Sequence, residues 1–75
     1  MAEEVRQTVD ARGLSCPQPV LLTQRALARA GSGAVEVLVD TATARENVTL
    51  AAEQAGWRAA VEELAGGEYR LVLRR

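Results

Sequence analysis

The feature that most constrains the fold is the order in which two hydrophobic periodicities follow one another along the chain. In four short segments, successive side chains point to opposite faces, as in a strand with one buried face. In two longer segments, apolar residues recur at helical spacing. The predicted strands cover residues 5–9, 35–39, 57–61 and 69–73, and the predicted helices cover residues 17–30 and 43–55. The predicted order of elements is therefore βαβαββ.

The connections between these segments predict how the strands pair. Two helical crossovers favour parallel pairing of the first three strands, and a short turn at Gly66 and Gly67 favours an antiparallel fourth strand. The 75 residues are enough for one domain, covering residues 1–75. We expect an α+β fold, a two-layer sandwich in which a four-stranded mixed sheet carries both helices on one face.

Composition narrows the chemistry that the chain can perform. The net charge of −1 gives no global electrostatic case for binding nucleic acid directly. The chain has no histidine and one cysteine, so we expect no metal site, no cofactor and no internal disulfide. All nine basic residues are arginine, and the absence of lysine excludes Schiff-base chemistry.

The hydropathy pattern predicts where the protein works. The stretch from Met1 to Gln7 is charged and has no apolar core of the kind found in signal peptides. No apolar run approaches the ~20 residues that cross a bilayer. We therefore expect a cytoplasmic protein that does not bind membranes, in a compartment where a lone thiol stays reduced. We also expect a monomer.

Cys16 stands at the predicted start of the first helix. Pro17 suits the first helical position and disfavours helical geometry in the residue before it, which makes Cys16 the expected cap residue. Pro19 has no amide hydrogen, so the Gln18 amide is the donor expected to reach the sulfur. The positive end of the helix dipole favours thiolate over thiol, and Arg12 could add to this field.

A lone cysteine is often a buried packing residue, but this context favours a reactive one. Cys16 follows a glycine loop and lies where two prolines fix a helix start. Without histidine, the cysteine–histidine pair of cysteine proteases is excluded. Spacing alone leaves redox sensing, acyl transfer and sulfur transfer open.

The segment Asp10-Ala-Arg-Gly-Leu-Ser-Cys-Pro-Gln-Pro19 resembles the signature of the TusA/SirA/YedF family, a Cys-Pro-x-Pro motif after a glycine–leucine turn. The stretch from Asp40 to Val48 is similar to the YedF branch in particular. The resemblance implies a sulfur carrier in which Cys16 accepts sulfane sulfur from a persulfide donor, such as a cysteine desulfurase, and passes it to an acceptor protein. It implies outlets in tRNA thiolation, molybdenum-cofactor assembly, sulfur oxidation or, for the YedF branch, selenium metabolism.

The residues around Cys16 are given supporting roles in this reading. Gly13 would serve the backbone of the turn, and Arg12 would either orient the sulfur or remain a solvated loop residue. Pro17 would fix the angle at which Cys16 leaves the helix, and Gln18 and Pro19 belong to the same first turn. Asn47, in the middle of the second helix, is assigned no role.

One face of the first helix is a candidate partner surface. Apolar spacing predicts that its core face is formed by Val20, Thr23, Leu27 and Ala30. Leu22, Arg25 and Arg29 then project from the opposite side, and Leu22 is about one turn from Cys16. We expect these three residues to dock the sulfur donor or acceptor.

Two further classes of function compete with sulfur transfer. The chain could be a non-catalytic regulatory or protein-binding module in which the cysteine is incidental. It could also bind RNA, because small βαβαββ domains can present an open sheet to nucleic acid. Against RNA binding, one tryptophan, one tyrosine and no phenylalanine make a poor stacking platform.

Overall fold

The computed structural model describes residues 5–75 and confirms the predicted order of elements. Within this range the strands are β1 (Val5–Asp10), β2 (Ala34–Val39), β3 (Arg58–Glu63) and β4 (Tyr69–Arg74), and the helices are α1 (Gln18–Ala30) and α2 (Ala42–Gln54). A 3-10 turn, Ala65–Gly67, joins the last two strands. Most of the stretch from Met1 to Gln7, on which the predicted lack of a signal peptide rests, lies outside the described residues.

The four described strands form one mixed sheet in the order β1-β2-β4-β3. β1 pairs with β2 in parallel, and β4 pairs antiparallel with both β2 and β3. The prediction that the first three strands pair in parallel is therefore wrong for β3, which runs in the direction of β2 but is separated from it by β4. The burial of the two strands explains why β4 is central and β3 lies at the edge. β4 buries Leu71, Val72 and Leu73. β3 carries the exposed charges Arg58 and Glu62, which suit an edge strand.

Both helices pack on the same face of the sheet, as predicted, and the core lies between the two layers. The middle strands β2 and β4 supply its floor, since alternate side chains of a strand point to one face. The α1 and α2 helices cover this floor with their small and branched residues, and Trp57 closes one end. The buried core cluster consists of Ala11, Ala26, Leu27, Val35, Val37, Val39, Val48, Ala52, Trp57, Leu71 and Leu73.

The opposite face of the sheet carries charged and polar side chains together with the apolar Leu38 and Val72. Arg70 of β4 donates hydrogen bonds to Glu36 of β2 and to Glu62 of β3, and the Thr8 hydroxyl donates to Glu36 at 3.0 Å. The Arg70 guanidinium lowers the pKa of Glu36 below its ordinary value. Neither aromatic residue of the chain faces this side, because Trp57 is in the core and Tyr69 packs towards the helices. This open face offers RNA bases no aromatic platform.

The cap residue of the second helix lies two positions earlier than the sequence suggests. Thr41 is extended at φ −140° and ψ 153°, and its hydroxyl accepts a hydrogen bond from the Ala44 amide at 3.0 Å. The predicted capping pair of Thr43 and Glu46 is therefore wrong. Because β2 ends at Val39, the chain is already free to turn into the helix at Thr41, and Thr43 lies within the first turn.

Candidate functional site

The loop that carries Cys16 is anchored at the carboxyl ends of β1 and β2. The Ala11 amide donates to the Leu38 carbonyl oxygen at 2.8 Å, which extends the pairing of the two strands by one bond. The Gly13 amide donates to Asp40 Oδ2, also at 2.8 Å. Gly13 has φ +77°, a left-handed conformation that glycine adopts without strain. The loop is thus tied to both strand ends before it reaches the cysteine.

Arg12 fastens the same loop by ion pairs. Its Nε and Nη2 atoms each donate to a carboxylate oxygen of Asp10 at 2.9 Å, and its Nη1 atom donates to Glu68 Oε1 at 3.2 Å. The Arg12 hydrogen bonds lower the pKa of Asp10 from 3.8 to about 2, and the two carboxylates raise the pKa of Arg12. The guanidinium is therefore engaged by the carboxylates at the ends of β1 and β4, not by the sulfur of Cys16.

Cys16 lies in a turn that precedes α1, and its side chain is exposed. The Gln18 amide donates to the Ser15 carbonyl oxygen at 2.9 Å, and the Cys16–Pro17 peptide is cis, as in a type VI turn. Pro17, not Cys16, is the cap residue of α1, and no side chain caps this helix. The predictions that Cys16 caps the helix and that the Gln18 amide serves its sulfur are both wrong, because this amide closes the turn.

The first turn of α1 is held against the core. Pro19 is buried at the second helical position, and the Leu21 amide donates to the Pro17 carbonyl oxygen at 3.1 Å. Thr23 is fully buried, and its hydroxyl donates to the Pro19 carbonyl oxygen at 2.8 Å. Proline rings and a buried hydroxyl therefore fix the helix start that follows Cys16.

A cleft of about 360 Å³ opens beside Cys16, between the amino-terminal ends of α1 and α2. One side is formed by the cysteine turn and the first turn of α1, and the other side belongs to the start of α2. The residues that line it are Leu14, Ser15, Cys16, Pro17, Pro19, Val20, Thr41, Thr43, Ala44 and Asn47. Of the sequence-predicted site residues, the structure brings Cys16, Pro17 and Pro19 together here.

Sequence reasoning missed the α2 side of this cleft, although a signal was present. Both helices follow parallel strands, so both begin at the same edge of the sheet. Thr43 and Asn47 are four residues apart, which places them on one face of α2 a turn from each other. The crossover topology and this spacing together indicate that the two side chains face the start of α1.

The predicted partner surface on α1 needs one correction. Leu22 is half-buried, and the exposed leucine is its neighbour Leu21, whose side chain is 46% accessible. Arg25 and Arg29 are exposed as expected. The core face is formed by Pro19, Thr23, Ala26 and Leu27, whereas Val20 and Ala30 are only partly buried. The buried face is therefore rotated about the helix axis from the predicted one, which moves Leu22 to its edge.

An exposed apolar surface runs from the cysteine turn onto α1. Leu14, 36% accessible, lies with Gln18, Leu21, Leu22 and Arg25 around one shallow groove. Gln18 thus faces this groove rather than the cleft. Because Leu14 also lines the cleft, the groove and the cleft adjoin on either side of the cysteine turn.

Residues 5–75 contain neither a metal-binding cluster nor a membrane-spanning helix. No group of three or more histidine, cysteine, aspartate or glutamate side chains is arranged to hold a metal ion there. None of the helices in that range has the length and apolarity needed to cross a membrane.

Comparison with known proteins identifies relatives of this chain. Residues 7–75 match the model of a family described as sulfurtransferase TusA. Among solved structures, a SirA-like protein from Desulfitobacterium hafniense is 36% identical, with a TM-score of 0.86 over 91% of this chain and 95% of that one. Comparison with curated protein sequences found no match.

Proposed function

This chain belongs to the TusA family of sulfurtransferases, and on that premise we propose that it is a sulfur carrier whose Cys16 holds one sulfur atom as a persulfide. The observation that carries the proposal is the placement of the chain's only cysteine. Cys16 is exposed, follows a loop tied to the ends of two strands, and borders a cleft. An exposed thiol on a fixed turn can meet the active-site thiol of another protein.

The chemistry needs no cofactor and no external oxidant. The Cys16 thiolate attacks the outer sulfur of a donor persulfide, and a new S–S bond forms as the S–S bond of the donor breaks. The donor cysteine leaves as a thiolate with the electron pair of the broken bond. With no second cysteine in the chain, the persulfide of Cys16 cannot be resolved internally as a disulfide. It therefore waits for the thiolate of an acceptor protein, which repeats the same step.

The proposed donor is a cysteine desulfurase or another persulfide-bearing protein, and the proposed acceptor is a thiol protein downstream of it. We place this relay in the cytoplasm, where the free thiol of Cys16 is kept reduced. Transfer to tRNA thiolation, molybdenum-cofactor assembly, sulfur oxidation or selenium metabolism would differ in the acceptor, while the step at Cys16 stays the same.

Docking of these partners is assigned to the α1 patch, which we define as Leu14, Leu21, Leu22, Arg25 and Arg29. Its two exposed leucines flank the cysteine turn and supply apolar anchors. The two exposed arginines give it a positive charge that steers an acidic partner surface and sets the approach. A partner bound here reaches Cys16 without a change in the core.

Sulfur loading tests the proposal. The protein is incubated with a cysteine desulfurase and cysteine, and its intact mass is measured before and after treatment with a reductant. We expect one added sulfur atom that the reductant removes, and no added sulfur on the Cys16→Ser variant. A wild-type protein that gains no sulfur, while the desulfurase turns over, would leave a non-catalytic binding module as the better description.

A further inference from the structure

On its own side of the cleft, the outer sulfur of a persulfide on Cys16 would meet one side-chain hydroxyl, that of Ser15, and otherwise apolar side chains. Pro17 and Pro19 have no amide hydrogen, and the Gln18 amide is engaged by Ser15. Arg12 is engaged by Asp10 and Glu68. A persulfide is more acidic than a thiol and carries its charge on the outer sulfur, so further donors on the opposite side of the cleft would stabilise it.

The α2 side of the cleft supplies such donors. Asn47 is half-buried and lines the cleft, and its side-chain amide has no hydrogen-bond partner among residues 5–75. An asparagine amide carries two N–H donors. Thr43, one turn earlier on the same face, lines the cleft with a hydroxyl that is likewise unpartnered in this range. A half-buried amide that lines a cleft is stabilised when a ligand atom accepts its hydrogen bonds.

Helix α2 adds a favourable field to these side chains. Its amino-terminal end, which carries partial positive charge, borders the cleft through Thr41, Thr43 and Ala44. Among the other lining residues, Leu14, Val20 and the two prolines are apolar, and Ser15 adds a hydroxyl on the Cys16 side. The cleft thus combines an apolar wall with donors concentrated on one side, an arrangement suited to a small, soft anion.

We propose that Asn47, assisted by Thr43, binds the outer sulfur of the Cys16 persulfide in the cleft between α1 and α2 and holds it there as the anion. This inference rests on the proposed function, since it concerns the loaded form of Cys16. Thiols attack a persulfide in its protonated form, because the anion repels an attacking thiolate. Hydrogen bonds that hold the anion therefore protect the sulfur from stray cellular thiols until a partner protein displaces it from the cleft.

The test compares the loaded and unloaded forms of the same variants. Wild type, Asn47→Ala and Asn47→Asp are loaded with sodium polysulfide, which requires no partner protein, and loss of the outer sulfur to a small thiol is followed by intact mass. Gln54→Ala is the matched control, because it removes an exposed side-chain amide from the same helix at its far end. Alkylation of the unloaded Cys16 by iodoacetamide is measured in parallel.

We expect Asn47→Ala to lose its outer sulfur about tenfold faster than wild type, the size of one hydrogen bond to a charged group. Asn47→Asp should lose it at least as fast, because a carboxylate repels the anion. Gln54→Ala should match wild type, and alkylation of the unloaded thiol should be unchanged in Asn47→Ala and in Gln54→Ala, which introduce no charge. Equal lifetimes of the loaded forms would overturn the inference and leave the carrier function standing.

A parallel change in alkylation and in persulfide lifetime in Asn47→Ala would also overturn it, because Asn47 would then act only on the shape of the site. Wild-type protein that takes sulfur neither from polysulfide nor from a desulfurase would remove the proposed function, and the inference with it.

Discussion

Removing the carboxylate of Asp40 should loosen the loop that carries Cys16. The Gly13 amide donates to Asp40 Oδ2 at 2.8 Å, and this bond ties the middle of the loop to the end of β2. Hydrogen bonds contribute about 0.5–1.5 kcal/mol, and bonds to charged groups contribute more. Because Asp40 is exposed, we take about 1 kcal/mol, which corresponds to a roughly fivefold larger population of the open loop.

Amide hydrogen exchange measured by NMR reads out this population directly. The Gly13 amide should exchange about fivefold faster in Asp40→Ala than in wild type. Asp40→Asn is the matched control, since it keeps an acceptor oxygen at the same place without the charge, and its exchange should lie between the other two. Sulfur loading by a desulfurase should be slowest in Asp40→Ala and intermediate in Asp40→Asn, because an open loop holds Cys16 less often in the position that a partner needs.

A wild-type rate of hydrogen exchange at the Gly13 amide in Asp40→Ala would refute this prediction. The pairing of Ala11 with Leu38 and the ion pairs of Arg12 would then be sufficient to hold the loop. An equal rise of amide exchange throughout the core strands would also refute it, because the substitution would then act on global unfolding and not on the loop.

Three further predictions follow from the structure. Leu71 is fully buried, so Leu71→Ala should lower the free energy of unfolding by about 3 kcal/mol and the thermal midpoint by roughly 10–20 °C, and an unchanged midpoint would contradict the core. The pKa of Asp10 is lowered from 3.8 to about 2, so its ion pair with Arg12 stabilises the fold above about pH 4 and is lost as the pH falls towards 2. Carbon-13 NMR should show this midpoint and its return towards 3.8 in Arg12→Ala. Leu21→Glu should slow sulfur transfer from a desulfurase about 5–10-fold, while Leu50→Glu, at an exposed leucine of α2, should not, and equal rates would show that the α1 patch is idle.

The element order could be predicted from sequence because each element carries its own periodicity. Val35, Val37 and Val39 alternate in β2, and all three are fully buried. The position of β4 between β2 and β3 was not visible in the same way. It depends on pairing between residues more than thirty positions apart, such as Val37 with Leu71, which no local pattern encodes.

The helix starts show where local signals conflict. Thr41 and Thr43 are both acceptable caps, and the extended backbone after β2 selects Thr41. For α1, the sequence placed the start at Pro17, and the turn closed by Gln18 and Ser15 moves it by one residue. Such turns depend on backbone geometry that residue preferences do not determine.

The sequence indicates the α1 side of the candidate site but not its α2 side. A short motif singles out Cys16 and its prolines, whereas nothing in the sequence singles out Asn47, because a mid-helix asparagine is usually solvated. Its place beside Cys16 follows from the parallel pairing of β1 and β2, which brings two helix starts to one edge. The phase of α1 was missed because each residue advances a helix by about 100°, so a shift of one position exchanges Leu22 for Leu21 at the surface.

The most direct test of the account is whether the sulfur on Cys16 is handed on. A desulfurase first loads the protein with sulfur-34 from labelled cysteine, and the loaded protein is then separated from the desulfurase. It is mixed with fresh desulfurase whose active-site cysteine is a free thiol without persulfide sulfur. Since transfer exchanges one persulfide for another, the account predicts that the label distributes between Cys16 and the active-site cysteine of the desulfurase. A label that stays on Cys16, or that is released only as free sulfide, would contradict a carrier role for this protein.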